Sequence, residues 1–230
     1  MSMPFYVSPD QMMKDRADFA RKGIARGRSV IAMRCADGIV LVAENSSGSL
    51  HKISEVYDRI AFAAVGRYNE FEALRVQGIR YADLRGYAYD RADVSARGLA
   101  NSYAQLLGTS FSSGTDKPFE VQLCVAELGA ESGLDRLFVI NFDGSITQAE
   151  DFTVMGGHAE PIARALQSSY DVDGSLAEAL RSAVAALRTD GAVSIGELEV
   201  GLLDRSRLDR RRTFVRLDDQ RVAELVGDED

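Results

Sequence analysis

Four lysines, two histidines and two cysteines are few for a chain of 230 residues, and each shortage closes off a class of function. Cys35 and Cys124 each lie inside an apolar strand-like run, which excludes a disulfide scaffold and suits a reducing compartment. Neither His51 nor His158 has a histidine or cysteine partner at metal-ligand spacing, so neither a metal site nor histidine catalysis is expected. The phosphate loop G-x-x-x-x-G-K-[ST] and the nucleophile elbow G-x-S-x-G are both absent, and Gly156-Gly157 reads as a chain break, so no cofactor is expected. Positive charge is in deficit: the net charge of −8 argues against a nucleic-acid binder. The one basic cluster, Arg205, Arg207, Arg210, Arg211 and Arg212, is interrupted by acids and reads as a solvated loop. No apolar run approaches the ~20 residues of a membrane span, and the first residues lack the charged-then-apolar pattern of a leader. The expectation is a cytoplasmic, unanchored protein.

What is present is the composition of a soluble globular protein, 46% hydrophobic, opening on a well-marked helix. In SPDQMMKDRADFARKGIARG, residues 8–27, Ser8 can cap, Pro9 takes the first helical position and Gln11 can complete a capping box. Gly27 can supply a left-handed stop. Met12, Phe19, Ala20, Gly23 and Ile24 fall on one face. Ahead of it, residues 1–7 are apolar, with Met3, Phe5 and Tyr6 poor choices for a solvated tail.

Beyond Ser29 the pattern turns to period two. Residues 30–35 and 39–44 read as strands joined by a hairpin at Asp37-Gly38, followed by a polar turn over 45–49 and a short strand over 50–53 that carries His51 and Lys52. Residues 59–65 are apolar on both faces, which marks a central strand. Helices are expected over 68–87 and 94–108, then a polar loop over 110–117. Strands follow at 119–128, 137–141, 145–148 and 152–155. Pro161 opens a helix, and Ser175 with Glu178 forms a capping box for the next. Two strands, 198–202 and 213–217, precede a short helix capped by Asp218. Asp135, Asp143, Asp171 and Asp173 read as turn and cap residues.

Helix pairs thus alternate with groups of antiparallel strands, without βαβ alternation. The fold class is α+β: two antiparallel sheets face to face with a helix pair on each outer face, a four-layer αββα sandwich with an extra N-terminal helix. Without an internal linker or repeat, 8–226 is one domain, 1–7 a separate leading segment and 227–230 an acidic tail.

An ordered set of blocks resembles the α-type subunits of the 20S proteasome, above all the actinobacterial ones. They are Ser8-Pro9-Asp10, ARKGIARGRS at 20–29 after Asp18-Phe19-Ala20, the Asp37-Gly38 hairpin, Leu50-His51-Lys52-Ile53, YDR at 57–59, NEFEALR at 69–75, GYAYDR at 86–91, QLCVAE at 122–127 and Val154-Met155-Gly156-Gly157. The likeness runs from about 1 to 217 and is weakest at 129–134 and after 217. It implies the αββα sandwich of the N-terminal-nucleophile hydrolases.

In the catalytic β-type members of that family, a processed N-terminal Thr begins the first strand and its own amine serves as base. Here the corresponding place falls at Arg28-Ser29, inside the chain and without a Thr, while Glu44 matches the family's acidic position and Lys52 its lysine. The resemblance therefore implies a non-catalytic subunit. The alternative is a self-processing hydrolase cut after Arg28, with Ser29 as N-terminal nucleophile beside Glu44 and Lys52. The resemblance further implies a homo-heptameric α ring outside a ring of β subunits in a four-ring barrel. Ser2, Met3, Pro4, Phe5, Tyr6, Val7 and Ser8 would form the gate. Lys52 would accept the C-terminal carboxylate of an AAA-type ATPase ring that delivers protein substrates tagged with a small ubiquitin-like modifier. On the residues alone, Lys52 reads instead as a solvated strand residue.

Overall fold

Residues 8–227 are described by a computed structural model. Ser8 caps α1 (Pro9–Ala25), and a connector leads into the β1 (Val30–Cys35) and β2 (Gly38–Glu44) hairpin. A second hairpin, β3 (Ile53–Tyr57) and β4 (Ile60–Gly66), is followed by helices α2 (Tyr68–Ala88) and α3 (Ala96–Ser112). Strands β5 (Val121–Glu127), β6 (Arg136–Ile140), β7 (Ile146–Ala149) and β8 (Phe152–Met155) come next. Helices α4 (Ala159–Ser169) and α5 (Leu176–Leu187) precede β9 (Leu198–Asp204), β10 (Phe214–Leu217) and α6 (Asp219–Val226).

The strands form two antiparallel five-stranded sheets, in the orders β10-β9-β2-β1-β8 and β3-β4-β5-β6-β7. Period two sorts their side chains into three apolar layers. Val30, Ala32, Ile39, Leu41 and Ala43 of the first sheet meet Ala61, Ala63, Val65, Cys124 and Ala126 of the second. The alternate residues of the first sheet, among them Ile31, Met33, Val40 and Val42, face α4, α5 and α6. Those of the second, Ile60, Phe62, Leu123 and Val125 among them, face α2 and α3. This is the layered sandwich expected of the sequence, with β4 buried on both faces as its pattern required. Cys35 and Cys124 lie in different layers as free thiols, and burial pushes them up to about 11 and about 12.

Several local expectations are corrected. The strand expected over 50–53 begins only at Ile53, because the backbone N–H groups of Lys52 and Ile53 turn to a carboxylate on β9. Helix α3 runs on to Ser112, through Gly108 and into the segment read as a loop. Helix α4 starts at Ala159, two residues before Pro161, which its first turn tolerates. The capping box of α5 forms as read. That of α1 is half formed: Ser8 accepts from the Gln11 N–H, but the Gln11 side chain turns to Asp15. Asp143 and Asp171 make the expected turns, accepting from the N–H of Ser145 and Asp173. Asp135 is buried and does more: it accepts from the Gly129 N–H at 2.9 Å and from Arg205 at 2.6 Å. Arg205 is therefore an ion-paired anchor rather than part of a solvated loop; Arg212 pairs with Glu55.

Helix α1 stands outside both helical layers and closes one end of the sandwich. Ala20 and Ile24 enter the layer between the sheets. Arg16 donates to the carbonyls of Ser110 (2.9 Å) and Phe111 (3.0 Å) at the C-terminal end of α3, where a cation is favourable. Gly23 lies so close to Glu120 that a Cβ would come within 2.6 Å of its side-chain carbons. Gly27 is not the left-handed stop expected of it. Arg26 ends the helix in the right-handed region, and Gly27 is needed for space, since a Cβ there would lie 3.1 Å from the Gly66 nitrogen. Met12 and Phe19, which share a face with Ala20 and Ile24 by periodicity, are half-exposed, as is Met13.

Candidate functional site

Where α1 hands over to β1, the chain passes Arg28 and Ser29. Ser29 is only 2% exposed, its carbonyl accepts from the Glu44 N–H at 3.2 Å, and a Cβ at Gly156, just after β8, would come within 3.1 Å of its Cα. Helix α1 leads directly into this point, with Ala20 and Ile24 packed in the layer between the sheets. Arg28 reaches across β1 and β2 to the Glu44 carboxylate at 2.7 Å.

Lys52 enters the same site from the loop after β2. Its ammonium donates to the carbonyl of Arg28 at 2.9 Å and to that of Glu44 at 2.8 Å. Arg28, Ser29, Glu44 and Lys52, from three nearby segments of the chain, are thus brought together. The solvated strand reading of Lys52 fails on both counts, since the residue is partly buried and belongs to a loop. Burial lowers Lys52 to about 8, against the opposing pull of Glu44 and Glu199. Two of the three ammonium donors are thus placed on neutral carbonyls, while the neighbouring carboxylate is engaged by Arg28; the third donor suits an incoming anion.

The loop from Asn45 to Lys52 is tied down by Glu199 on β9, a residue the sequence reading passed over. Glu199 is 8% exposed and accepts from the Lys52 N–H (2.8 Å), the Ile53 N–H (3.2 Å) and the Asn45 amide (2.8 Å), and it pairs with Arg216. His51 Nδ1 lies 3.3 Å away. A signal was available: Glu199 has the strand parity of Leu203, which faces the layer between the sheets, so a carboxylate there needs partners. His158 sits against Asp190 at 2.7 Å, away from this site.

Ser8 is exposed and serves as the cap of α1; Ser2, Met3, Pro4, Phe5, Tyr6 and Val7 lie outside the described residues, as does the tail at 228–230. At the other end of the sandwich, Gly86 of α2 packs on Tyr57 of the β3–β4 hairpin, and Leu84, Tyr87 and Tyr89 around it are turned to solvent. Among the described residues no helix is long and apolar enough to cross a membrane.

A family model described as "Proteasome subunit" matches residues 24–201. The chain is 58% identical over 232 residues to a proteasome subunit alpha of Nocardioides sp., covering 99% of this chain and 91% of that one. It is 54% identical over 237 residues to the proteasome subunit alpha of Kineococcus radiotolerans, covering 99% of each. A proteasome subunit alpha of Arthrobacter sp. is 54% identical over 235 residues, covering 100% of each.

Proposed function

The chain belongs to the proteasome subunit family and is similar to its alpha subunits, and from that membership we propose that it is a non-catalytic subunit of the outer ring of a 20S core particle. Seven copies form a ring on each end of a β-subunit barrel that does the cutting. The α ring admits substrate, templates assembly and docks a ring ATPase that delivers tagged proteins for degradation. The observation that carries the reading is the junction of α1 and β1. The family's acid and lysine positions are kept in Glu44 and Lys52, while the place of the nucleophile is taken by Ser29, which is not a Thr and is 2% exposed behind α1, whose Ala20 and Ile24 are packed between the sheets.

The gate is assigned to residues 2–8, which α1 carries at its head. Lys52 is assigned to the ATPase C-terminus, because its desolvated ammonium has a donor suited to a carboxylate. The apolar side chains at the two ends of the sandwich are assigned to neighbours: Met12 and Phe19 of α1 to the ring, and Leu84, Tyr87 and Tyr89 to the β subunits.

The test is co-expression with a β subunit, followed by sizing and a peptidase assay. A large complex that cleaves peptides, with the α chain at its full mass, is expected. An α chain lacking residues 1–28 would instead establish the hydrolase with Ser29 as nucleophile. In the complex, deletion of residues 2–8 should raise peptide hydrolysis, and unchanged hydrolysis counts against a gate there. Lys52→Ala should abolish ATPase-stimulated proteolysis in an intact ring, and surviving stimulation removes the docking assignment.

A further inference from the structure

We propose that Glu199 is the positioning residue of the docking loop: its buried carboxylate fixes the backbone of Lys52, and so determines how tightly an activator's carboxylate binds. The inference rests on the assignment of Lys52 as the docking cation. Residues 46–51 are largely exposed, and the loop has no strand pairing of its own before Ile53. Glu199 grips it at both ends, holding the Asn45 amide at the start and the N–H groups of Lys52 and Ile53 at the finish. Asn45 closes the loop on itself by donating to the Leu50 carbonyl at 2.7 Å. The Lys52 carbonyl accepts from the Ala64 N–H at 3.0 Å, so the residue is pinned on both sides of its Cα. Arg216 holds the carboxylate from the far side and donates on to the Ile53 carbonyl at 2.6 Å.

A carboxylate can satisfy this many donors because both its oxygens accept; an amide of the same shape has one accepting oxygen and two donors of its own. Oε2 serves Asn45 and the Lys52 N–H while Oε1 serves Arg216 and the Ile53 N–H, so in either orientation Glu199→Gln turns its N–H₂ group toward one side-chain donor and one backbone donor. A buried N–H loses its acceptor, and the stretch leading to Lys52 is released while the sheet beneath keeps its ladder.

The experiment uses the assembled α/β complex carrying wild-type, Glu199→Gln, Asn45→Ala or Lys52→Ala α chains. The activator probe is a C-terminal octapeptide of a ring ATPase with a free α-carboxylate, and its C-terminal amide is the control. Peptide hydrolysis is titrated, and amide hydrogen exchange is followed over residues 45–53. For Glu199→Gln the half-saturating concentration of the probe should rise about tenfold with the maximal stimulation unchanged. Exchange over 45–53 should quicken, and exchange over β1 should stay as it was. Asn45→Ala should move the same readouts less, in the same direction, and decides the matter if Glu199→Gln does not assemble. Half-saturation within twofold of wild type in Glu199→Gln, or in Asn45→Ala where Glu199→Gln does not assemble, overturns the positioning role if Lys52→Ala abolishes stimulation. If Lys52→Ala leaves stimulation intact, the docking assignment itself has failed.

Discussion

At one end of the sandwich α1 drops Ala20 and Ile24 between the sheets and locks on to α3 and Glu120; at the other, α2 finishes on the Tyr57 hairpin and leaves Tyr87 92% exposed. The far end is far from loose. Arg91 stacks on Tyr57 and pairs with Asp58, Arg205 pairs with Asp135, and the Thr213 N–H donates to the Asp58 carbonyl. The difference lies in where the apolar surface goes. The first end uses its own helix to cover the layer between the sheets. The second completes its own packing and still presents aromatic rings outward, as a surface made for a neighbour does.

Four experiments bear on that contrast. Tyr87→Glu together with Tyr89→Glu should abolish assembly with β subunits while shifting the stability of the isolated subunit by no more than about 0.5 kcal/mol, since neither ring contributes to the core. Sizing and urea denaturation check the two halves; a large stability loss would mean the far end needs these rings for itself. Ile24→Ala should do the reverse, costing about 2–4 kcal/mol in urea denaturation through the cavity it leaves between the sheets.

The third experiment is a pH titration of activator binding. Burial holds Lys52 at about 8, so the ammonium is lost, and the half-saturating concentration of the carboxylate probe climbs, as pH rises through that value. The unfolded chain keeps this proton up to the ordinary lysine value of about 10.5. Between about 8 and about 10.5 the folded chain thus binds fewer protons, and the contribution of Lys52 to stability rises with pH. A flat binding profile across pH 7 to 9 would show that Lys52 is not the docking cation or is not desolvated. The smallest effect is expected of Arg16→Ala. It removes two hydrogen bonds to the end of α3 and should cost about 1–2 kcal/mol, with faster amide exchange in α1 and none over α2.

Much of this was legible before any coordinates. Period two separates Val30 and Ala32 from Ile31 and Met33, and that parity decides which layer each joins. The doubly apolar β4 called for a covering layer on each side, and the S-x-x-E spacing located the start of α5. Glu44 and Lys52 could be matched to the family's acid and lysine, and the structure brings both to Ser29. What escaped depends on contacts between distant segments. Met12 and Phe19 have the periodicity of Ala20 and Ile24, yet α1 meets the sandwich over only part of its length. The role of Gly27 is set by Gly66, some forty positions away, and no local pattern reports it. Glu199 looked like the polar half of an alternating strand, whereas it sits on the inner face with the donors of another loop as its partners.

The anchoring of α1 also carries a consequence for biosynthesis. Arg16 finds its acceptors 94 and 95 positions later in the chain, and Gly23 packs on Glu120. The helix leaves the ribosome well before its resting place is complete, since that needs α3 and the start of β5. At about 5–20 residues per second, that interval lasts several seconds. Throughout it the layer that Ala20 and Ile24 enter is incomplete, and the nascent chain exposes the apolar side of an amphipathic helix. A premature stop before β5 would leave that helix with an incomplete docking site, so such truncated products should be strong clients of chaperones and of proteolysis.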